Sequence, residues 1–596
     1  MFTYTKSLSQ DFLGNLSLEQ FRNEINSSVE IEPNCIIVKN IIPDMVEIVF
    51  DSSLNSAEES ALTTIISSHV PEIIIGGALS NYDALVDLKG NGDFSKPSQA
   101  FAEGATTVFI RPGIYFETEN IVIPNNGVMV GETVAPVIIY FIGSVGIKID
   151  GSKGVKETQG NISVTNNTNL VTGNGTNFSI LNPGNFILLD QNFYQIESII
   201  NDTNLTLTET YKGRTLFENK FAAQPMYTGI NLANIVVTGS LTTGIYMRAL
   251  RSSVVDTCAL ISNNTGIEMI DSSTNAFNSI NCFDNQTSGI SIISSHSLGF
   301  VNGEFYNNHN GVNISGNSTN IVLNGVLVAN NNNFGINITG TCNTVLVNDC
   351  VIQRNNGKGI YTEENTGNTI IDGSMMIHNN LEGVDFKGNN NIVSNCNISY
   401  NQNDGIHAGD NGTITGCHIH NNLLNGCNIL GNDSQIANNN IHDNKINGVE
   451  INGNRNTIQG NSIRGDSGSG IHISGKDNNI TGNTIFNNSQ DGIYLEDNSS
   501  ENILANNRIS DNIIGINISS NSHDSIINGN IITSNNSHGI SISSNDCIIS
   551  NNLCKNNLGD GCVILINSTN NLVKINKFTS NAGNNFTDNG TSTQTD

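Results

Sequence analysis

The sequence has no tryptophan and only 9 prolines in 596 residues. Lys, Arg, Asp and Glu make up 13% of it, against about 25% in an average soluble protein. Polarity must therefore come from uncharged groups. Asn, Ser, Gly and Thr supply it, with 58 glycines, a bias that favours turns and ladders over helices. Basic residues are scarcest. Lys and Arg number 25 against 53 Asp and Glu, a formal charge of −28, so nothing neutralises phosphates in bulk. That excludes nucleic acid as the expected partner and disfavours anionic membranes. No run approaches the ~18 apolar residues of a membrane helix. The start, "MFTYTKSLSQDF", has no apolar h-region. The expectation is a soluble chain with no export signal and no membrane insertion. Its 11 cysteines include no CxxC pair. Several recur at matched places ("NC", "GC") and read as reduced, small core residues. Neither a metal nor a cofactor is expected.

What is present is a period. From Gly244 to Gly561 a Gly-Ile or close variant returns every 21 to 24 residues. Each glycine opens an apolar, polar, apolar alternation ("GIEM", "GVNI", "GVEI", "GIHI", "GIYL"), which is a short strand with one buried face. Two further short strands fill each repeat, as in "NNIVSNCNISYNQNDGI", separated by Asn, Gly, Asp and Ser turns. Three strands per ~22 residues, stacked on like strands, make one coil of a parallel β-helix. No single coil could bury its own apolar face. The recurrent "NN", "GN" and "SN" fit asparagine ladders that satisfy one another from coil to coil.

Other segments break the period. Residues 159–215 read as alternating strands joined by Asn-Gly, Pro-Gly and Asn-Asp turns, an antiparallel β module inserted between early coils. Residues 1–75 read as helix, strand, strand, helix. The strands are "CIIVKNII" and "MVEIVF", and the helices open on capping boxes, Ser17 to Gln20 and Ser56 to Glu59. Residues 76–158 form a linker, a short helix and the first coils; 216–575 form the main array; and 576–596 lack apolar pattern and read as a polar tail, unordered or in need of a partner.

The segment "SKPSQAFAEGATTVFIRPGIYFETENIVIPNNGVMVGE" resembles the capping helix and first coils of right-handed β-helix proteins of the pectin-lyase superfamily. The resemblance implies that the β-helix is right-handed, so the expected fold class is all-β: a right-handed parallel β-helix with a small α+β N-terminal module and the inserted antiparallel β module. The stretch "VEIVFDSSLNSAEESALTTIISSHVPE" is similar to modules that precede the fibre or spike domains of phage and large-DNA-virus structural proteins. That likeness implies a spike or fibre on a virion surface, attached to other virion proteins through residues 1–75. A symmetric homo-oligomer is expected, a trimer first.

In each Gly-Ile strand the residue after Ile points outward, and these residues form a column: Tyr246, Glu268, Ser291, Asn313, Asn337, Tyr361, Asp385, His407, Asn428, Glu450, His472, Tyr494, Asn517, Ser541. Its ends are mostly Asn and Ser, and its middle is aromatic and titratable. Two residues on, Glu363, Lys387 and Glu496 join the same zone. A separate outward column reads His378, Ser399, His420, His442, Arg464, and His418 reads as a turn-edge residue beside it. Rings offer faces to sugars and carboxylates bind hydroxyls, so this zone is the candidate glycan surface. Glu363, Glu450, His472, Tyr494, Glu496, His420, His442 and Arg464 are the binding candidates. A solvated face with no ligand is the plain alternative.

If the zone carries chemistry, proton abstraction beside a uronate carboxylate would use His407, Tyr361 and Lys387, with Asp385 orienting. This set resembles the Tyr/Asp/His/Lys group of mannuronan C5-epimerases and related lyases. Their Tyr-Gly-(Phe/Ile)-Asp-Pro-His motif is replaced here by "KGIYTEE", "EGVDFKG" and "DGIHAGD". Hydrolysis would need paired carboxylates, for which Glu450 with Glu496 or Asp385 are the candidates. The expected function is thus a glycan-binding virion protein, with a polysaccharide epimerase, lyase or hydrolase, or a purely structural rod, as alternatives.

Overall fold

The computed structural model describes residues 2–7, 35–42, 45–50, 53–68, 82–190 and 192–595. The chain divides into two compact units. One takes in the residues up to 117 together with 127–140 and 232–236; the other holds 118–126, 141–231 and 237–596.

In the first unit, strands Cys35–Ile42 and Met45–Phe50 fall where the sequence places them. A strand that sequence reading missed, Phe2–Ser7, pairs antiparallel with Met45–Phe50 and completes a three-stranded sheet. The capping box Ser17 to Gln20 lies outside the described residues. Helix Ser56–Ser68 is present, but its cap is one residue earlier than expected. Asn55 Oδ1 accepts from the backbone N–H of Ala57 and Glu58, and Glu58 Oε2 accepts from the N–H of Asn55. This reciprocal pair displaces Ser56 and Glu59 because an Asx side chain serves the first-turn donors equally well. Further on, helix Pro97–Ala102 buries Ala100 and Phe101 beside parallel strands Ala84–Val86, Thr107–Ile110 and Val128–Gly131. The Glu117 carboxylate accepts from both the N–H and the hydroxyl of Ser98, satisfying that helix's first turn.

In the second unit the repeats stack as coils of a parallel β-helix, each built from three short strands. One coil is Ile406–Ala408, Thr413–Thr415 and His418–His420. Each strand is parallel to and in register with its equivalent one coil away. The middle residue of the second and third strands and the outer two of the first point inward, so Ile406, Ile414 and Ile419 are buried. Ten described cysteines are buried and free, as the sequence indicates. Between the third and first strands runs the expected asparagine ladder. Asn401 Nδ2 donates to Asn422 Oδ1 at 3.0 Å and to the Met376 carbonyl, and like bonds recur between Asn285 and Asn557, with Asp466 standing in one asparagine position.

The turns explain the composition. Strand ends are followed by residues with positive φ, typically Asn or Asp, such as Asn395, Asn438 and Asp443, the side chains that tolerate this region best after glycine. The inserted module is an antiparallel seven-stranded sheet whose strands run from Asn161–Val164 to Ala222–Gln224, with its own core including Phe178, Leu205 and Tyr211. At the other end, the largely polar residues 576–595 include further strands. Lys577–Thr579 pairs with Leu553–Lys555, and Phe586–Asp588 pairs with Cys562–Ile564. Backbone ladder bonds need no apolar side chains to continue the coil.

Candidate functional site

The first-strand column is in register as the period predicts. Tyr361 pairs Asp385, Asp385 pairs His407, and the chain of partners continues through Asn428, Glu450, His472 and Tyr494. It thus forms one wall, though not every member is exposed as expected: Asp385 has no accessible surface, because Lys358, Lys387 and His407 pack over its carboxylate.

Its centre is a charge network in which sequence reading found half the members. His407 Nδ1 lies 3.2 Å from Asp385 Oδ1, and its Nε2 lies 2.6 Å from Asp404 Oδ2. A ring with a carboxylate on each nitrogen donates from both, so it is an imidazolium. The two carboxylates outweigh burial and raise its pKa to about 9. Asp385 is fully buried, yet hydrogen bonds from His407 and Lys358 overcome desolvation and hold it at about 2. Lys358 donates to Asp385 Oδ2 and lies 3.6 Å from Glu382, while Lys387 lies 3.4 Å from Asp385. Asp404, its pKa lowered by His407 against burial, also accepts from the Asn425 N–H and from Asn428 Nδ2. Asn403 donates to Glu382. Beside the network, Phe334 and Tyr361 stack with ring centroids 5.3 Å apart, and the Lys358 ammonium lies 4.9 Å over the Tyr361 ring.

The members missed were Phe334, Lys358, Glu382 and Asp404. Each directly precedes a repeat glycine, three residues before the outward residue of its strand. The tight turn at that glycine brings the two positions side by side, and that spacing is the signal that would have found them.

Further along the same wall, His472 Nδ1 bonds Glu450 Oε2 at 2.9 Å, and its Nε2 lies 3.6 Å from Glu496. These contacts raise its pKa despite burial. Its ring stacks on Tyr494 at 5.0 Å. Glu363 turns away and accepts from the Gly340 N–H.

The histidine column belongs to the third-strand wall and needs a correction. Ile377, not His378, is in register with Ser399, His420, His442 and Arg464. In "MMIHN" two frames alternate equally well, and the buried residue is Met376. His378 takes the positive-φ turn position and stacks on Tyr400. His418 pairs with Asn397 and Asn440 as expected, and its Nε2 meets His442 Nε2 at 2.6 Å. Burial and neighbouring imidazoles lower the pKa of His418. His420 stacks on His442 at 5.0 Å, and Arg464 donates to Asn440. Coil stacking alone does not join this group to the Tyr361–Tyr494 column.

Comparison with known proteins bears on the fold. Residues 334–463 and 447–596 match the family model described as "right handed beta helix region", so the class is a right-handed parallel β-helix. Residues 227–392 match the model described as "periplasmic copper-binding protein (NosD)". Among the described residues no group of three or more His, Cys, Asp or Glu is arranged to hold a metal ion. Cys342 and Cys350 are buried thiols pushed up to about 11 by desolvation. Search of curated proteins gives no match. Among solved structures, the tailspike protein gp49 of Pseudomonas phage LKA1 is similar at 13% identity over 75% of this chain and 74% of its own, with TM-score 0.37. The gp54 tailspike of Acinetobacter baumannii bacteriophage AP22, in complex with A. baumannii capsular saccharide, aligns at 12% identity over 81% and 72%, TM-score 0.31. The periplasmic alginate epimerase AlgG aligns at 12% over 56% and 78%, TM-score 0.30. Among the described residues, no helix is long and apolar enough to cross a membrane.

Proposed function

We propose that this chain is a spike or fibre component of a virus particle that binds a polysaccharide along the wall from Tyr361 to Tyr494 without turning it over. The observation that carries the binding reading is the unbroken register of that column, with a stacked ring pair at each end. Six ladder intervals of ~4.8 Å span ~29 Å, a track for several sugar rings. Between the ring pairs lie hydrogen-bonding groups, Lys387, Asn428 and Glu450, on partly exposed positions. The virion placement is supported by the likeness of residues 46–72 to modules that precede viral fibre domains.

Binding is favoured over chemistry because the catalytic assignment of Tyr361, Asp385, Lys387 and His407 needs a free base. A ring that donates from both nitrogens and keeps its protons to about pH 9 has no lone pair to offer at neutral pH. Tyr361 is no better, since burial raises its pKa.

The test is retention of the full chain on neutral and uronate polysaccharides, with product analysis. Tyr361→Ala and Tyr494→Ala should each weaken retention about tenfold, the scale of one lost ring contact. Neither unsaturated ends, reducing ends nor C5 exchange should appear. Turnover that vanishes in His407→Gln would replace binding with chemistry, and failure to retain any glycan would end both readings. Absence of the chain from purified particles, by mass spectrometry, would remove the virion placement.

A further inference from the structure

A second candidate site lies within the second unit, where the inserted module meets the coils. A pocket of about 200 Å³ is lined by Leu188, Phe193, Ala222 and Gln224 from the module and by Asp271 and His296 from the coils, with Lys156 beside them. One side is apolar: Leu188, Ala222 and Phe193, whose ring centroid is 6.1 Å from that of His296. The other side is polar. Gln224 is 3% exposed, and its side-chain amide has no hydrogen-bond partner among the described residues. His296, also 3% exposed, commits Nδ1 to Thr319 Oγ1 at 2.8 Å and leaves Nε2 without a protein partner. Asp271 meets Lys156 and Arg248 only at 3.8 Å each.

Polar atoms that line a pocket without a protein partner are free to pair with whatever enters it. The lining indicates what that is. An apolar wall facing groups that donate, accept, or do either matches a molecule with one apolar face and a rim of hydroxyls. Of the lining residues only Lys156 and Asp271 are charged, one of each sign, so the lining carries no net charge that asks for an ionic ligand. The volume is below the ~300 Å³ at which drug-sized sites begin, which admits one ring. We propose that this pocket binds a single neutral sugar ring, its apolar face on Phe193 and Leu188 and its hydroxyls on Gln224, His296 and Asp271. Burial keeps His296 neutral, its pKa lowered to about 4, so the ring can accept or donate at neutral pH. This site is independent of the Tyr361–Tyr494 wall.

Saturation-transfer NMR and calorimetry on the full chain, with glucose, galactose, mannose and N-acetylglucosamine as probes, test it. At least one should bind, with Kd on the order of millimolar. Gln224→Met, which keeps the shape and removes the hydrogen bonds, should weaken it about tenfold. Phe193→Ala should do the same, with the melting temperature as a check on folding. If Phe193→Ala unfolds, Gln224→Met and Asp271→Asn decide alone. No signal from any of the four sugars, meaning that water alone fills the pocket, overturns the proposal, as does binding unchanged in Gln224→Met and Asp271→Asn. Monosaccharide binding without polymer retention refutes the wall and keeps the pocket; polymer retention without monosaccharide binding does the reverse.

Discussion

At the scale of single residues, two buried titrating groups make opposite demands. His407 is charged because Asp385 and Asp404 hold its two nitrogens. Its folded pKa, about 9, exceeds the ordinary 6.5, so its stabilisation is complete below about pH 6.5 and is lost as pH rises through 9. Asp385, held at about 2, contributes above its ordinary pKa and loses that contribution as pH falls towards 2. Asp404→Asn removes one of the two anions, and the His407 midpoint in an NMR titration should fall by about one unit or more. An unchanged midpoint would mean that Asp404 does not hold the ring. Asp466 behaves in the reverse sense. It occupies an asparagine position in the ladder, where its Oδ1 accepts from Asn444 while the fully buried Oδ2 has no partner. Burial raises its pKa from 3.8 to about 7. The folded state therefore keeps a proton that the unfolded chain releases, and stability declines as pH rises from about 4 to 7 and stays level above. A separation of that size corresponds to about 4 kcal/mol. Asp466→Asn restores the ladder donor, so its melting temperature should exceed that of the parent by a margin that opens between pH 4 and 7. A margin independent of pH would show that Asp466 is not protonated in the fold.

At the scale of the strand and turn, the repeat glycine is the element that everything else is built around. A Cβ on Gly405 would lie 2.6 Å from the Gly426 carbonyl oxygen and 2.8 Å from Asn422 Nδ2, whereas one on Gly412 of the same coil meets nothing closer than 3.4 Å. Gly405→Ala should therefore destabilise the coil by about 1–3 kcal/mol, the cost of forcing atoms into a packed interior. Gly412→Ala should stay within about 0.5 kcal/mol, and equal denaturation midpoints for the two would contradict this account. The same glycines made the fold legible from sequence. Their spacing set the register, and the register placed Tyr361, Asp385 and His407 on one wall. What spacing could not supply was the turn geometry. Asp404 and Glu382 precede their glycines, and only the bend of the turn brings them onto that wall. His378 was misplaced because three successive apolar residues carry no alternation to choose a frame. Asn55 was missed as a cap because Asn and Ser stand side by side there and both accept. Phe2–Ser7 is a strand only by virtue of its partner, Met45–Phe50.

At the scale of the whole molecule, charge decides which polymer the wall can approach. The chain carries −28, and at low ionic strength that field repels an acidic polysaccharide well before contact. The wall does little to offset it. Lys358, Lys387 and His407 are matched by Glu382, Asp385 and Asp404, three cations against three anions held within the same network. Cations already committed to buried carboxylates cannot also neutralise a uronate without breaking those pairs. A neutral polymer meets neither obstacle, because its hydroxyls need only faces, donors and acceptors. Association with a neutral glycan should consequently be nearly independent of salt. Association with a uronate polymer should be slow at low salt and accelerate as the screening length shortens to about 10 Å near 0.1 M and below that at higher salt. Stopped-flow or surface-binding rates measured across ionic strength separate the two. A uronate polymer that binds fastest at the lowest salt would mean that the wall's cations are free to act on it, and the ion network around His407 would then have to open on binding.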